Sequence, residues 1–161
     1  MRISVALLIA ALSATAPAAA AADLKPGWFV QYQQETFSGV IFPGAYASED
    51  TKDFQKAGLS YLCGNDGKPV FVFYPRGFGY EQDTSVDFKG ANGIVTATFK
   101  VVTLKTAGPS RVASSKDTDA LKTVLMDATS DVAYRQGENR GTFPIIGLKE
   151  TFAVVDASCE Q

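Results

Sequence analysis

Cys63 and Cys159 are the only cysteines in the chain, and their spacing decides which sulfur chemistry is open to it. A redox-active dithiol wants a Cys-x-x-Cys, in which the pairing lowers a thiol pKa. These two lie far apart, so the expected chemistry is a structural disulfide closing nearly the whole second half of the chain. Histidine is absent. Its absence removes imidazole acid–base catalysis, Ser–His and Cys–His nucleophile pairs, and imidazole-liganded zinc or copper. Ser-x-x-Lys, Gly-x-Ser-x-Gly, the phosphate-binding P-loop and the Gly-x-Gly-x-x-Gly fingerprint are absent too. No cofactor and no metal are expected. An enzyme would have to work with paired carboxylates, as in glycoside hydrolysis. The balance leans against an enzyme.

Four stretches hold the remaining candidates. Tyr74-Pro75-Arg76-Gly77-Phe78-Gly79-Tyr80 interleaves rings and glycines around one arginine. Tyr74, Arg76, Phe78 and Tyr80 form the candidate ligand or partner loop, suited to stack on sugar rings or grip a carboxylate. The competing reading is a strand connection whose rings fold back on the core. Glu35, Glu49, Asp50 and Asp53 offer a carboxylate pair, but they lack calcium-loop spacing and read as a solvated acidic loop. Asp117-Thr118-Asp119 reads as a helix start, with Asp117 or Thr118 as N-cap, rather than a cation site. Residues 134–141 include Arg135 and Arg140. They read as a hairpin-like turn, with a partner-binding edge or an anion contact as the alternative.

Elements must position these groups, and the chain is expected to export them first. Arg2, an apolar run over 3–12 and the alanines at 18–22 have the three-part form of a secretory signal peptide. The run is too short to span a bilayer, which needs roughly 20 apolar residues. No cysteine directly follows it, so lipoprotein-type attachment has no acceptor, and no twin arginine occurs. The expected organisation is therefore a signal peptide over 1–22 and a single exported domain over 23–161, periplasmic or secreted, with no transmembrane segment after cleavage. The 15 basic residues are interspersed among 17 acidic ones. Nucleic acid and anionic membrane surfaces need clustered positive charge, so neither is an expected partner.

Within the domain, short strands dominate. Residues 28–33 are aromatic and β-branched, and 37–42 are read as their partner. Residues 43–56 look polar and irregular. Leu59-Ser60-Tyr61-Leu62-Cys63 and Val70-Phe71-Val72-Phe73-Tyr74 flank Gly64-Asn65-Asp66-Gly67, a hairpin turn because these residues tolerate positive φ. Residues 85–88 and 94–104 form a second hairpin. In the longer arm Val95, Ala97, Phe99 and Val101 alternate with a more mixed face, which indicates an antiparallel sheet. Residues 131–135 read as a strand, and 141–146 as a connection or short strand. Leu121, Val124, Leu125 and Ala128 fall at helical spacing, as do Leu148, Phe152, Val155 and Cys159. The fold class is α+β, mainly antiparallel: a sandwich or open barrel of six to eight strands with two short helices. Cys63 is the last inward residue of a strand and Cys159 is inward on the C-terminal helix, so their bond would clamp that helix across the sheet.

The strand 59–63, its Asp66-Gly67 turn and the following apolar strand join with Gly147-Leu148-x-x-x-Phe152-x-x-Val155-x-x-x-Cys159 in one pattern. Together they resemble small periplasmic proteins of proteobacteria with one strand-to-helix disulfide, type VI secretion-associated accessory proteins among them. The resemblance implies a non-enzymatic envelope protein and carries over only the cysteine pair. The expected function is a periplasmic or secreted binding or accessory protein whose partner is an envelope protein or glycan. The alternatives are an inhibitor of a hydrolase and a carboxylate-dependent glycan-active enzyme.

Overall fold

The structure is a computed structural model that describes residues 27–34, 38–49, 55–77, 82–105 and 107–159. The expected signal segment, Glu35, Asp50, Asp53, Phe78 and Tyr80 lie outside these residues. Among the described residues nine strands pair into one sheet. They are β1 (Phe29–Gln34), β2 (Ile41–Ser48), β3 (Gly58–Cys63), β4 (Pro69–Tyr74), β5 (Thr84–Gly90), β6 (Gly93–Leu104), β7 (Gly108–Ala113), β8 (Val132–Gln136) and β9 (Asn139–Phe143). The sheet order is β1-β2-β3-β4-β7-β6-β5-β8-β9, and neighbouring strands run antiparallel. Helix α1 (Ser115–Met126) follows β7, and α2 (Leu148–Cys159) follows β9.

The sheet curls into a half-barrel around the two helices, so the open-barrel form expected from the sequence is the one found, with nine strands. Its concave face carries Ala45, Leu59, Tyr61, Phe71, Phe73, Val86, Phe88, Ala97 and Phe99, all buried. Leu121 and Leu125 of α1 and Leu148, Phe152 and Val155 of α2 complete this core. Phe152 stacks on Tyr61 at 4.4 Å between ring centres and meets Trp28 edge-on at 5.0 Å. A fully buried aromatic or leucine stabilises by roughly 1.5–3 kcal/mol, so the i, i+4, i+7 stripe of α2 suffices to seat it. The convex face holds a smaller cluster of Leu62, Val72 and Leu104. That cluster explains why β4 is apolar on both faces.

Both hairpins form as expected, with Gly67 at φ 77° and Gly93 at φ 124°. Other elements differ from the expectation. Residues 43–48, read as irregular, continue β2, where Ala45 and Ala47 are inward. Pro43 and Gly44 hide that strand in the sequence. Neither Asp117 nor Thr118 is the N-cap of α1: Ser114 is, and its Oγ accepts from the Asp117 N–H at 3.1 Å. Asp117 sits at the third helical position, completing a Ser-x-x-Asp start. β7 was not foreseen.

The first strands meet the last at one end of the half-barrel. The Trp28 N–H donates to the Ile146 carbonyl, and its indole Nε1 donates to the Pro144 carbonyl, both at 2.7 Å. Gly147 must be glycine here: it has φ 74°, and a Cβ would lie 2.7 Å from the Trp28 carbonyl oxygen. Helix α2 starts at the next residue, so this contact also sets where α2 enters the core.

The disulfide Cys63–Cys159 is present, with its Cα atoms 5.4 Å apart and its ends separated by 96 positions in sequence. It ties the end of β3 to the last turn of α2. The chain-entropy model assigns a loop of about 100 residues about 4–5 kcal/mol, as an upper figure. Cys159→Ser is accordingly expected to lower unfolding stability by about 2–5 kcal/mol, read as a shifted urea midpoint. An unchanged midpoint would show that the bond contributes nothing to the fold.

Candidate functional site

Two polar clusters stand out against the apolar core. The first contains the arginine of the sequence-predicted loop. Tyr74 ends β4, and Arg76 follows two residues later. The Arg76 guanidinium grips the Glu49 carboxylate with both ends, Nε to Oε1 at 2.6 Å and Nη2 to Oε2 at 2.8 Å. Its Nη2 also donates to the Arg140 carbonyl at 2.9 Å. Glu49 is 1% exposed and takes two further hydrogen bonds, from the Tyr134 hydroxyl at 2.7 Å and the Ala57 N–H at 2.8 Å. Glu49, expected in a solvated loop, is thus a buried carboxylate satisfied on both oxygens. The cluster joins the end of β2 to β8 and β9, beside the Trp28 contacts.

Burial pushes the Glu49 carboxyl up, but the hydrogen bonds from Arg76, Tyr134 and Ala57 outweigh it and hold the group below its ordinary value. The Tyr134 hydroxyl is pushed up by burial and by its bond to Glu49, so it stays a donor. Gly141 lies opposite Tyr134 in the β8–β9 register. A Cβ there would run into Glu49 Oε2 and approach the Tyr134 ring at 2.7 Å. The cluster therefore needs glycine for space, not for backbone freedom. Arg76 is engaged in holding the sheet, and Phe78 and Tyr80 of the same loop lie outside the described residues.

The second cluster lines a groove of about 620 Å³ between the β3–β4 hairpin and the two helices. Tyr61, Asp66, Thr118, Asp119, Lys122 and Asp156 are among its walls, with Cys159 at one side. The Tyr61 hydroxyl donates to Asp156 Oδ1 at 2.6 Å. Lys122 Nζ donates to both Asp156 oxygens, at 2.9 and 2.8 Å, and lies 5.2 Å from the centre of the Tyr61 ring. Burial, then the bond to Asp156, pushes the Tyr61 hydroxyl up, so it donates and does not ionise. Thr118 is 3% exposed and its hydroxyl has no hydrogen-bond partner among the described residues. A buried hydroxyl without a partner costs about 1–3 kcal/mol, so a ligand atom reaching it would recover a bond.

Sequence reasoning did not find this groove. Lys122 and Asp156 sit on different helices 34 residues apart, and Tyr61 is 95 residues from Asp156. The one available signal was an i, i+4 step from Thr118 to Lys122 on the flank of α1. The cation reading of 117–119 finds no support in geometry: Asp117 turns to the sheet and accepts from the Thr98 N–H at 3.3 Å. Among the described residues no cluster of potential metal ligands occurs.

Among the described residues the molecule is thus an antiparallel half-barrel wrapped on two helices, with a disulfide and a polar groove beside it. No protein-family model, curated protein or solved structure matches the chain.

Glu49→Gln is expected to cost about 2–4 kcal/mol at neutral pH, because Arg76 loses its charge partner. Since the folded carboxyl titrates below its ordinary value, its stabilisation is fully present above the ordinary glutamate range. It is lost as pH falls through the depressed folded value. Urea unfolding should therefore show the gap between Glu49→Gln and wild type narrowing in acid; a gap constant with pH would contradict the assignment. Gly141→Ala should cost about 1–3 kcal/mol from crowding alone, at any pH.

Proposed function

We propose that this chain is a non-enzymatic periplasmic or secreted protein of the cell envelope, a binding or accessory module that receives its ligand in the groove beside the disulfide. The observation that carries the reading is the closed circuit of Tyr61, Lys122 and Asp156 beside the unpartnered Thr118 hydroxyl. Tyr61, Lys122 and Asp156 are occupied by one another, and the vacant hydrogen-bonding capacity beside them belongs to the Thr118 hydroxyl. No cysteine is free and histidine is absent, so neither thiolate nor imidazole is offered to a substrate. Glu49, the buried carboxylate, is held ionised by Arg76 and has no lone proton to give. The disulfide is compatible with an oxidising compartment, as export requires. The resemblance to small disulfide-bonded periplasmic proteins points the same way. No helix among the described residues is long and apolar enough to cross a membrane.

A photo-crosslinking amino acid at Lys68, on the groove rim, tests this in the native envelope, with the same group at Ser85 on the convex face as control. The expected outcome is one dominant adduct, protein or glycan, from position 68 and none from 85, lost with Thr118→Val. Identical adducts from both positions would overturn the groove as the binding site. Turnover of purified envelope glycan by the protein would overturn the non-enzymatic reading.

A further inference from the structure

On the convex face, β5, β8 and β9 carry a row of charges that the groove beside the disulfide does not use. The register sets Thr96, Asp87, Arg135 and Arg140 side by side across four strands. Arg135 and Arg140 are directly opposite, with Cα atoms about 5 Å apart in any antiparallel pair. Like charges so placed repel, and a sheet avoids them unless something neutralises both. Asp87 neutralises one. Its Oδ2 takes Arg135 Nη2 at 2.6 Å and Nε at 3.2 Å, while its Oδ1 takes the Thr96 hydroxyl at 2.7 Å. Asp87 is thus turned to Arg135 and Thr96, and among the described residues no ion pair joins it to Arg140 or Lys89.

Lys89 lies one row along, opposite Ala133 and Ile94. The small Ala133 leaves a depression of about 400 Å³ between these side chains, and Ile94 is 62% exposed on its rim. Neither the Lys89 nor the Arg140 side chain has an ion pair among the described residues. Three cations thus surround an apolar floor with a single carboxylate among them, on a chain whose overall charge is −2.

We propose that this depression is a second binding site, for a small amphiphilic carboxylate whose anionic head sits between Arg140 and Lys89 and whose apolar body lies on Ala133 and Ile94. The guanidinium of Arg140 offers a planar fork that matches a carboxylate, and the exposed isoleucine supplies the apolar contact. This depression shares no lining residue with the groove beside the disulfide.

The test is amide NMR titration of the full protein with octanoate, with sulfate and with anionic phospholipid vesicles. Octanoate is expected to produce saturable shifts centred on Ala133, Arg135 and Arg140 at about millimolar concentration. Arg140→Gln and Lys89→Gln, both at exposed positions, should each weaken it at least about five-fold and leave the rest of the spectrum unchanged. Sulfate should bind more weakly than octanoate. Absence of saturation by octanoate would overturn the proposal, as would equal affinity for sulfate, or shifts unaffected by Arg140→Gln. Binding to vesicles without binding to octanoate would also overturn it, making the surface a membrane contact instead.

Discussion

The Glu49 carboxylate sits at the point where the first strands of the sheet meet the last, and the half-barrel depends on its being held there. A buried charge is expensive unless every lone pair is occupied. Arg76, Tyr134 and Ala57 together occupy them, and they come from the β4 end, from β8 and from the approach to β3. Breaking any one leaves the others facing an unsatisfied ion. The cluster therefore fixes geometry more than it adds stability: only one curvature of the sheet brings all the donors within reach. Trp28, whose two N–H groups reach the segment after β9, fastens the same corner with neutral bonds.

From that corner the rest of the arrangement follows. Gly147 fits under the Trp28 carbonyl and starts α2 at a fixed point, so Phe152 lands against Tyr61 and Trp28. Cys159 then falls within bonding range of Cys63. The same helical turn brings Asp156 to Tyr61 and Lys122. The polar groove is thus a by-product of how α2 is docked, and its walls are as rigid as the aromatic cluster and the disulfide that hold them.

Local signals in the sequence carried the parts of this fold that are local. The 64–67 turn is legible because Asn, Asp and Gly suit positive φ, and α2 because its apolar spacing is undiluted. β7 escaped because it opens Gly108-Pro109 and carries Arg111 inward. Glu49 was misread because its neighbours Asp50 and Asp53 give it the look of a solvated acidic loop, while the arginine that determines its state is 27 residues away. The same holds for the groove: Lys122 and Asp156 are unremarkable on their own helices and acquire a role only through packing. What the sequence conceals here is pairing across distance, which no window of neighbouring residues contains.

The contacts that finish the structure share one property: Glu49 to Tyr134 spans 85 residues, Tyr61 to Asp156 spans 95, and Trp28 to Pro144 spans 116. Loops of that length must close before any of these bonds is gained, which is slow. Synthesis proceeds from the N-terminus, so β1 and β2 emerge long before β8, β9 and α2 exist to receive them. For that interval Trp28 lacks both of its carbonyl partners, Glu49 has only Ala57 and Arg76 of its donors, and the growing sheet has two open edges. The design of this half-barrel thus makes its earliest residues wait for its latest ones, and a chain released short of β8 would hold neither the corner nor the clamp.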